Sequence, residues 1–498
     1  MALALPFDIW CLIAKFIPQA ELLKLYSVNS ALFNLVMNQQ YRDVRIYHNG
    51  DENTRRYFKT MSPVIATRVR SLIIHPHVFG EIANPKKKSL AKMLWSYIRF
   101  RPASKLSKSA TLLRHISCMT EVTSLTIGCY PWDDFLSNNL TTSFFTTIWS
   151  GQGYHLRNLS LDIPLEAYSN ALVGVPPLES LEGLSITLRI LFPHTKPEKP
   201  ISLIAAFITR HSRTLLSLSV DTPQAKVDPS YFFHALGRLP HLRILSINHP
   251  LDCLRPEYPT GIDSFLTKHA DLLRQLSIRI CDLPANDLLP SPDELFSFPI
   301  FLVQLPRLTS LELGLFQWAG AVPRTSLIGN LLKYLHPMRK MLSRVVLCNY
   351  VLTILELKSV ISVFDSTEPT LRSLVVNVHF LSCDLFDLVS GRLPGLHDLK
   401  LIFEAIRSRD NGASTEGQNR FHVQSQVRTS LFFLDMASRV YPDWALRHLA
   451  LSTPYTIGKW DECGPLVDAL PSVISFNGLS REEFANLKVL ENNFMSLL

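Results

Sequence analysis

The chain has 498 residues, of which 47% are hydrophobic and 18% charged. That balance excludes a disordered chain and suits two or more domains or one extended repeat array. The formal net charge of +8 is uneven: residues 51–108 hold thirteen Lys/Arg against three Asp/Glu, while residues 109–498 carry −3. A solenoid that binds nucleic acid carries its charge along the binding face, so no nucleic-acid partner is expected.

Residues Leu5–Tyr47 read as three short apolar helices. Pro6 can sit in a first helical turn, where a missing N–H costs nothing, and Ile9, Ile13, Phe16 and Ile17 recur at helical spacing. Pro18 opens a second helix carrying Leu22, Leu23, Leu25 and Tyr26. Asn29 or Ser30 can cap a third, with Leu32, Phe33, Leu35 and Val36. A unit below roughly 40 residues rarely folds alone. Its surplus apolar side chains must therefore face either the rest of the chain or another protein. The apolar start lacks a basic n-region and is interrupted by Pro6 and Asp8, unlike a signal peptide. No run of some 18 apolar residues follows, so no membrane contact is expected.

The basic stretch 84–102 places Leu90, Met93, Leu94, Tyr97 and Ile98 on one helical stripe. Lys86, Lys87, Lys88, Lys92 and Arg99 form a candidate partner-binding segment there. It reads as a solvated helix face, a nuclear-import signal, or an anchor for an acidic or phosphorylated protein target. His75-Pro76-His77 has no further ligand at metal spacing and reads as a turn, and Trp132-Asp133-Asp134 reads as a solvated turn. Phosphate loops, nucleophile elbows and H-E-x-x-H motifs are missing from the sequence, so no enzyme, metal or cofactor is expected. The eight cysteines are scattered, and Cys348 and Cys383 read as small core residues of a reduced, cytoplasmic or nuclear protein.

From the first third onward one phrase recurs: apolar, two fillers, apolar, one filler, apolar. It starts at Val69, Val122, Leu156, Leu181, Leu215, Leu242, Leu273, Leu308, Leu342, Leu371, Leu396 and Leu446, mostly 25 to 35 residues apart. Helix-like runs such as 202–212, 230–240, 262–273 and 385–394 lie between. Strand, turn and helix at a regular period mark a solenoid, in which stacked neighbours share one core. The phrase resembles the leucine-rich repeat. The intervals are longer than is usual for that family, and Pro164, Pro223, Pro250 and Pro454 stand where it places asparagine or cysteine. The resemblance implies an α/β fold, an irregular solenoid with a curved parallel sheet and outer helices. The polar run 407–420 reads as a loop, and Ser480 with Glu483 as the capping box of a C-terminal helix.

The N-terminal unit resembles the F-box on Leu5, Pro6, Asp8, Ile9, Ile13, Phe16, Ile17, Pro18, Leu22, Leu25 and Val28. Asn29 and Tyr41 depart from the residues common in that family. The resemblance divides the chain into an F-box (1–48), a basic linker with the first repeat (49–121), a leucine-rich solenoid (122–479) and a capping helix (480–498). It implies a substrate receptor of an SCF-type ubiquitin ligase, with Leu5, Pro6, Ile9, Ile13, Phe16, Leu22, Leu25 and Val28 on the Skp adaptor of a cullin scaffold. The alternatives are that residues 5–40 cap the solenoid, and that the chain is a leucine-rich interaction scaffold without a ligase role. Exposure of the apolar stripe in residues 5–40 separates these readings.

Overall fold

The strands begin where the recurring phrase says they should, two residues after each anchor. The computed structural model describes residues 5–47, 54, 61–76, 113–129, 140–152, 155–192, 194–223, 227, 229–249, 261–280, 295–314, 324–365, 370–407, 430–453 and 464–481. The chain divides into two compact units, Met1–Leu242 and Arg243–Leu498. Each is an α/β repeat array of leucine-rich type.

In the first unit β1 (Asp43–Ile46), β2 (Ser71–Ile74), β3 (Ser124–Gly128), β4 (Asn158–Asp162), β5 (Gly183–Thr187) and β6 (Ser217–Asp221) pair in parallel and in sequence order. Their first residues stand in register. The second unit repeats this with β7 (Ile244–His249), β8 (Gln275–Ile280), β9 (Ser310–Gly314), β10 (Arg344–Leu352), β11 (Ser373–Leu381), β12 (Asp398–Ile406), β13 (His448–Ser452) and β14 (Ser475–Phe476). A last strand, β15 (Leu479–Ser480), turns back antiparallel to β14.

Alternation within each strand sends the third and fifth residues after the anchor inward. Leu276 and Ile278, or Leu399 and Leu401, are buried, while Ser277 and Lys400 between them face outward. The anchors pack with them: Leu156, Leu215, Leu273 and Leu308 are fully buried. Helices between strands complete each rung. Glu198–Arg210, for example, buries Ile201, Ile204, Ala205, Phe207 and Ile208 on one side. No rung hides its apolar face alone, which is why the stacked array is the unit of stability.

Within each unit the residue after the anchor locks one rung to the next. Its carbonyl accepts two backbone N–H groups from the following repeat: Arg274 O takes Thr309 N at 2.8 Å and Ser310 N at 3.0 Å, and Arg372 O takes His397 and Asp398 N. The same pair joins Arg42 O to Arg70 and Ser71 N. The first rung therefore starts at Tyr41, one repeat before Val69, and β1 lies inside residues 1–48. The array also has a later rung at Val473, whose neighbour Ile474 N binds Arg447 O at 2.9 Å. Ser480 belongs to β15. Loop 408–420 and residues 482–498, with the expected capping helix, lie outside the described residues.

Ahead of β1 stand α1 (Phe7–Ala14), α2 (Gln19–Leu22), a 3-10 turn (Leu23–Ser27) and α3 (Ser30–Tyr41). The Asn29 side chain caps α3, accepting from Leu32 N at 2.8 Å. A small core of Leu22, Leu32 and Val36 holds these helices, with Trp10, Ala14, Ile17, Leu25 and Leu35 packed around it. Arg68 ties α3 to the first rungs through Asn38 Oδ1 at 2.6 Å and Asn34 Oδ1 at 2.7 Å.

Candidate functional site

Two surfaces combine order with exposure. The first is the outer side of the N-terminal helices. No residue of α1 is buried. Leu5 is 47% exposed, Leu12 50% and Phe16 87%, and Ile9, Leu23, Tyr26, Val28 and Phe33 are exposed with them. Soluble chains rarely leave so many large apolar side chains together in water. Pro6 is also exposed, and Ile13 is half-buried. Leu22 corrects the sequence reading: it is 5% exposed and belongs to the unit's own core, against which the half-buried Leu25 packs. Leu22 closes the four-residue α2 just before the 3-10 turn, and periodicity over so short a helix cannot reveal which side it faces. The basic candidates Lys86, Lys87, Lys88, Lys92 and Arg99 lie outside the described residues.

The second surface is the outward side of the strands. In the first unit it is small and hydroxyl-rich, with Ser124, Thr126, Ser160, Ser185, Ser217 and Ser219 in adjacent rungs. In the second unit it is charged. Arg279 Nε donates to Glu312 Oε1 at 2.6 Å across neighbouring strands, and His379 Nδ1 lies 2.7 Å from Glu404 Oε2. Gly314 makes room for the first pair, since a Cβ there would stand 2.9 Å from Arg279 Cγ and 3.1 Å from its Cα. Cys348 sits outward and half-buried beside this pair rather than in the core, and burial, with Glu312 nearby, raises its thiol pKa. Cys383 is a core residue as expected, its thiol pushed up to about 11 by burial.

Several titratable groups belong to the framework instead. His211 Nδ1 bonds Phe207 O at 2.8 Å while its Nε2 accepts from Leu178 N at 3.1 Å. His269 repeats the first contact to Phe265 O at 2.7 Å. The two come from one local phrase, Phe-Ile-Thr-Arg-His at 207–211 and Phe-Leu-Thr-Lys-His at 265–269, four residues before an anchor. That repeat was visible in the sequence and is a structural device. His75 packs on Tyr47 at a tilt of 60°, with centroids 5.1 Å apart, and would meet a Cβ on Gly128 at 3.0 Å, so it too is packing. Among the described residues no cluster of three His, Cys, Asp or Glu could hold a metal, and no helix is long and apolar enough to cross a membrane.

No family model and no curated protein matches this chain. Among solved structures it is similar to the leucine-rich repeat-containing protein LegL7 from Legionella pneumophila. The two share 14% identity over 70% of this chain and 96% of that one, with a TM-score of 0.38. At that level of likeness the fold assignment rests on the strand register and the buried anchor ladder of this chain itself.

Proposed function

We propose that this chain is a non-catalytic recognition protein with two working surfaces. The outward strand side takes a protein target, and the N-terminal helices seat a second, helical partner. The carrying observation is the exposure of α1 and the following turn: apolar groups such as Leu12 and Phe16 stay in water although Leu22, Leu32 and Val36 beneath them are already packed. Burying such side chains against a partner is worth roughly 25 cal/mol per Å² of apolar surface removed from water.

The broad reading, a leucine-rich interaction scaffold, needs only the repeat array. The finer reading takes the F-box resemblance further and makes the helical partner a Skp adaptor on a cullin scaffold, with the strand side presenting a protein for ubiquitin transfer. Capping and docking are compatible here, because Arg68 joins the inner side of the unit, on α3, to the array while no residue of α1 is buried.

The test is partner mapping by cross-linking and mass spectrometry with two full-chain variants. Phe16→Asp marks the helical surface, and Ser277→Trp blocks the outward side of β8. The reading expects each variant to lose a different partner set while keeping the parent's melting temperature. Loss of the same set, or of neither, contradicts two working surfaces. Loss of Skp and cullin components with Phe16→Asp selects the ligase reading over the plain scaffold.

A further inference from the structure

The charge of the second unit is sorted by position. Arg243–Leu498 holds 24 Lys/Arg and 26 Asp/Glu, so the unit as a whole is slightly acidic. Strands β7 to β13 with the residue preceding each nevertheless carry seven basic residues against three acidic ones. All three acids are engaged within the sheet: Glu312 by Arg279, Glu404 by His379, and Asp398 by His448 at 4.0 Å. Of the seven cations only Arg279 is held by one of these acids. Arg243, Arg274, Arg344, Lys400 and Arg447 are exposed and have no side-chain partner among the described residues, and Arg372 gives one N–H to Gly395 O at 2.8 Å.

The repeat sets their spacing. Arg243, Arg274, Arg372 and Arg447 each follow an anchor, at the edge where their strands begin, and their carbonyls are fixed by the paired bonds to the next rung. Arg344 opens its strand one residue further in. At about 4.8 Å per strand, the row from β7 to β13 runs roughly 29 Å. An extended peptide of about nine residues, at roughly 3.3 Å each, spans the same length.

We propose that this row is the docking edge for an extended, Asp/Glu-rich segment of a protein target. The inference rests on the reading of the strand side as a target-binding surface and adds the chemistry of the target. Guanidiniums spread singly along the row suit a series of separate carboxylates, each open to bidentate pairing. A phosphate, carrying nearly two charges at one point, calls for cations gathered at one point. A single-stranded nucleic acid would call for aromatic platforms. Among the described residues of these strands only Phe380 is an exposed aromatic, and the Arg407 guanidinium lies 5.9 Å over it.

The test uses the full chain and a labelled twelve-residue peptide alternating Glu and Asp with Gly and Ser. Binding should appear at low salt and weaken as salt rises, since exposed charges are screened within about 8–10 Å. Arg274→Ala and Arg447→Ala should each weaken it about two- to five-fold, in line with exposed ion pairs. The variant carrying Arg243→Glu, Arg274→Glu, Arg344→Glu and Arg447→Glu should abolish it with an unchanged melting temperature, and Lys358→Ala, on the helix Ile354–Ser362, should leave it untouched. Equal binding by the charge-reversed variant overturns the proposal. So does tighter binding of an unstructured oligonucleotide, or of a singly phosphorylated neutral peptide, than of the acidic one. If Ser277→Trp loses its targets while the charge-reversed variant keeps them, the row is wrong and the strand surface stands. If neither variant loses a target, the strand surface itself falls.

Discussion

His211 fits its place in the core only as a neutral ring. Its Nδ1–H donates to Phe207 O, and its Nε2 must accept from Leu178 N, so a second proton would set two donors against each other. Burial, with Arg210 adding to it, holds its pKa below the ordinary value of 6.5. Burial takes His249 further, to about 3. In both cases the unfolded chain binds a proton that the fold refuses. Their stabilisation is therefore complete above about pH 6.5 and lost as pH falls toward the folded values. Melting temperature should hold between pH 7 and 8 and decline steadily from pH 6.5 to 4, and His249→Leu should flatten that decline. A profile indifferent to this variant contradicts the assignment. Gly314 gives a second expectation. A Cβ there meets the Arg279 backbone, which cannot swing aside, so Gly314→Ala should cost about 1–3 kcal/mol in urea unfolding.

At the scale of the element, the anchor phrase carried most of the fold. All twelve anchors stand two residues before a strand, from Val69 before β2 to Leu446 before β13, because a buried apolar residue there closes the turn that feeds the strand. Two rungs escaped notice for different reasons. Tyr41 to Ile46 follows the same phrase but lies at the end of α3, where helical periodicity masks it. The rung at Val473 has only Phe476 as its inward strand residue, too little to form a pattern. The candidate helical surface was legible in outline. The inward turn of Leu22 was not, since it depends on how α2 and the 3-10 turn join. The arginine row was written openly, with arginine following Leu242, Leu273, Leu371 and Leu446. Its meaning needed the register, which shows which acids are already engaged. Leu276→Ala should cost 2–5 kcal/mol, as buried leucines do, whereas Ser277→Ala beside it should fall within about 0.5 kcal/mol of the parent. Asn29→Ala should cost about 1 kcal/mol through loss of the α3 cap. Chemical denaturation of the three variants checks all of these.

At the scale of the whole molecule, the central claim is division of labour: a repeat array that holds a target and a helical unit that holds a partner. α3 serves the array through Arg68, while α1 keeps its apolar side chains for something else. Removing residues 1–45 would cut into β1 and test the fold as much as the docking, so point substitutions on α1 are the cleaner instrument. The decisive measurement is complex formation between purified Skp adaptor and the full chain, followed by size-exclusion chromatography. The F-box reading of the helical unit predicts a one-to-one complex that is lost when Leu5 and Pro6 are both replaced by alanine, at an unchanged melting temperature. No complex with the parent chain, or an undiminished complex with the double variant, would contradict it.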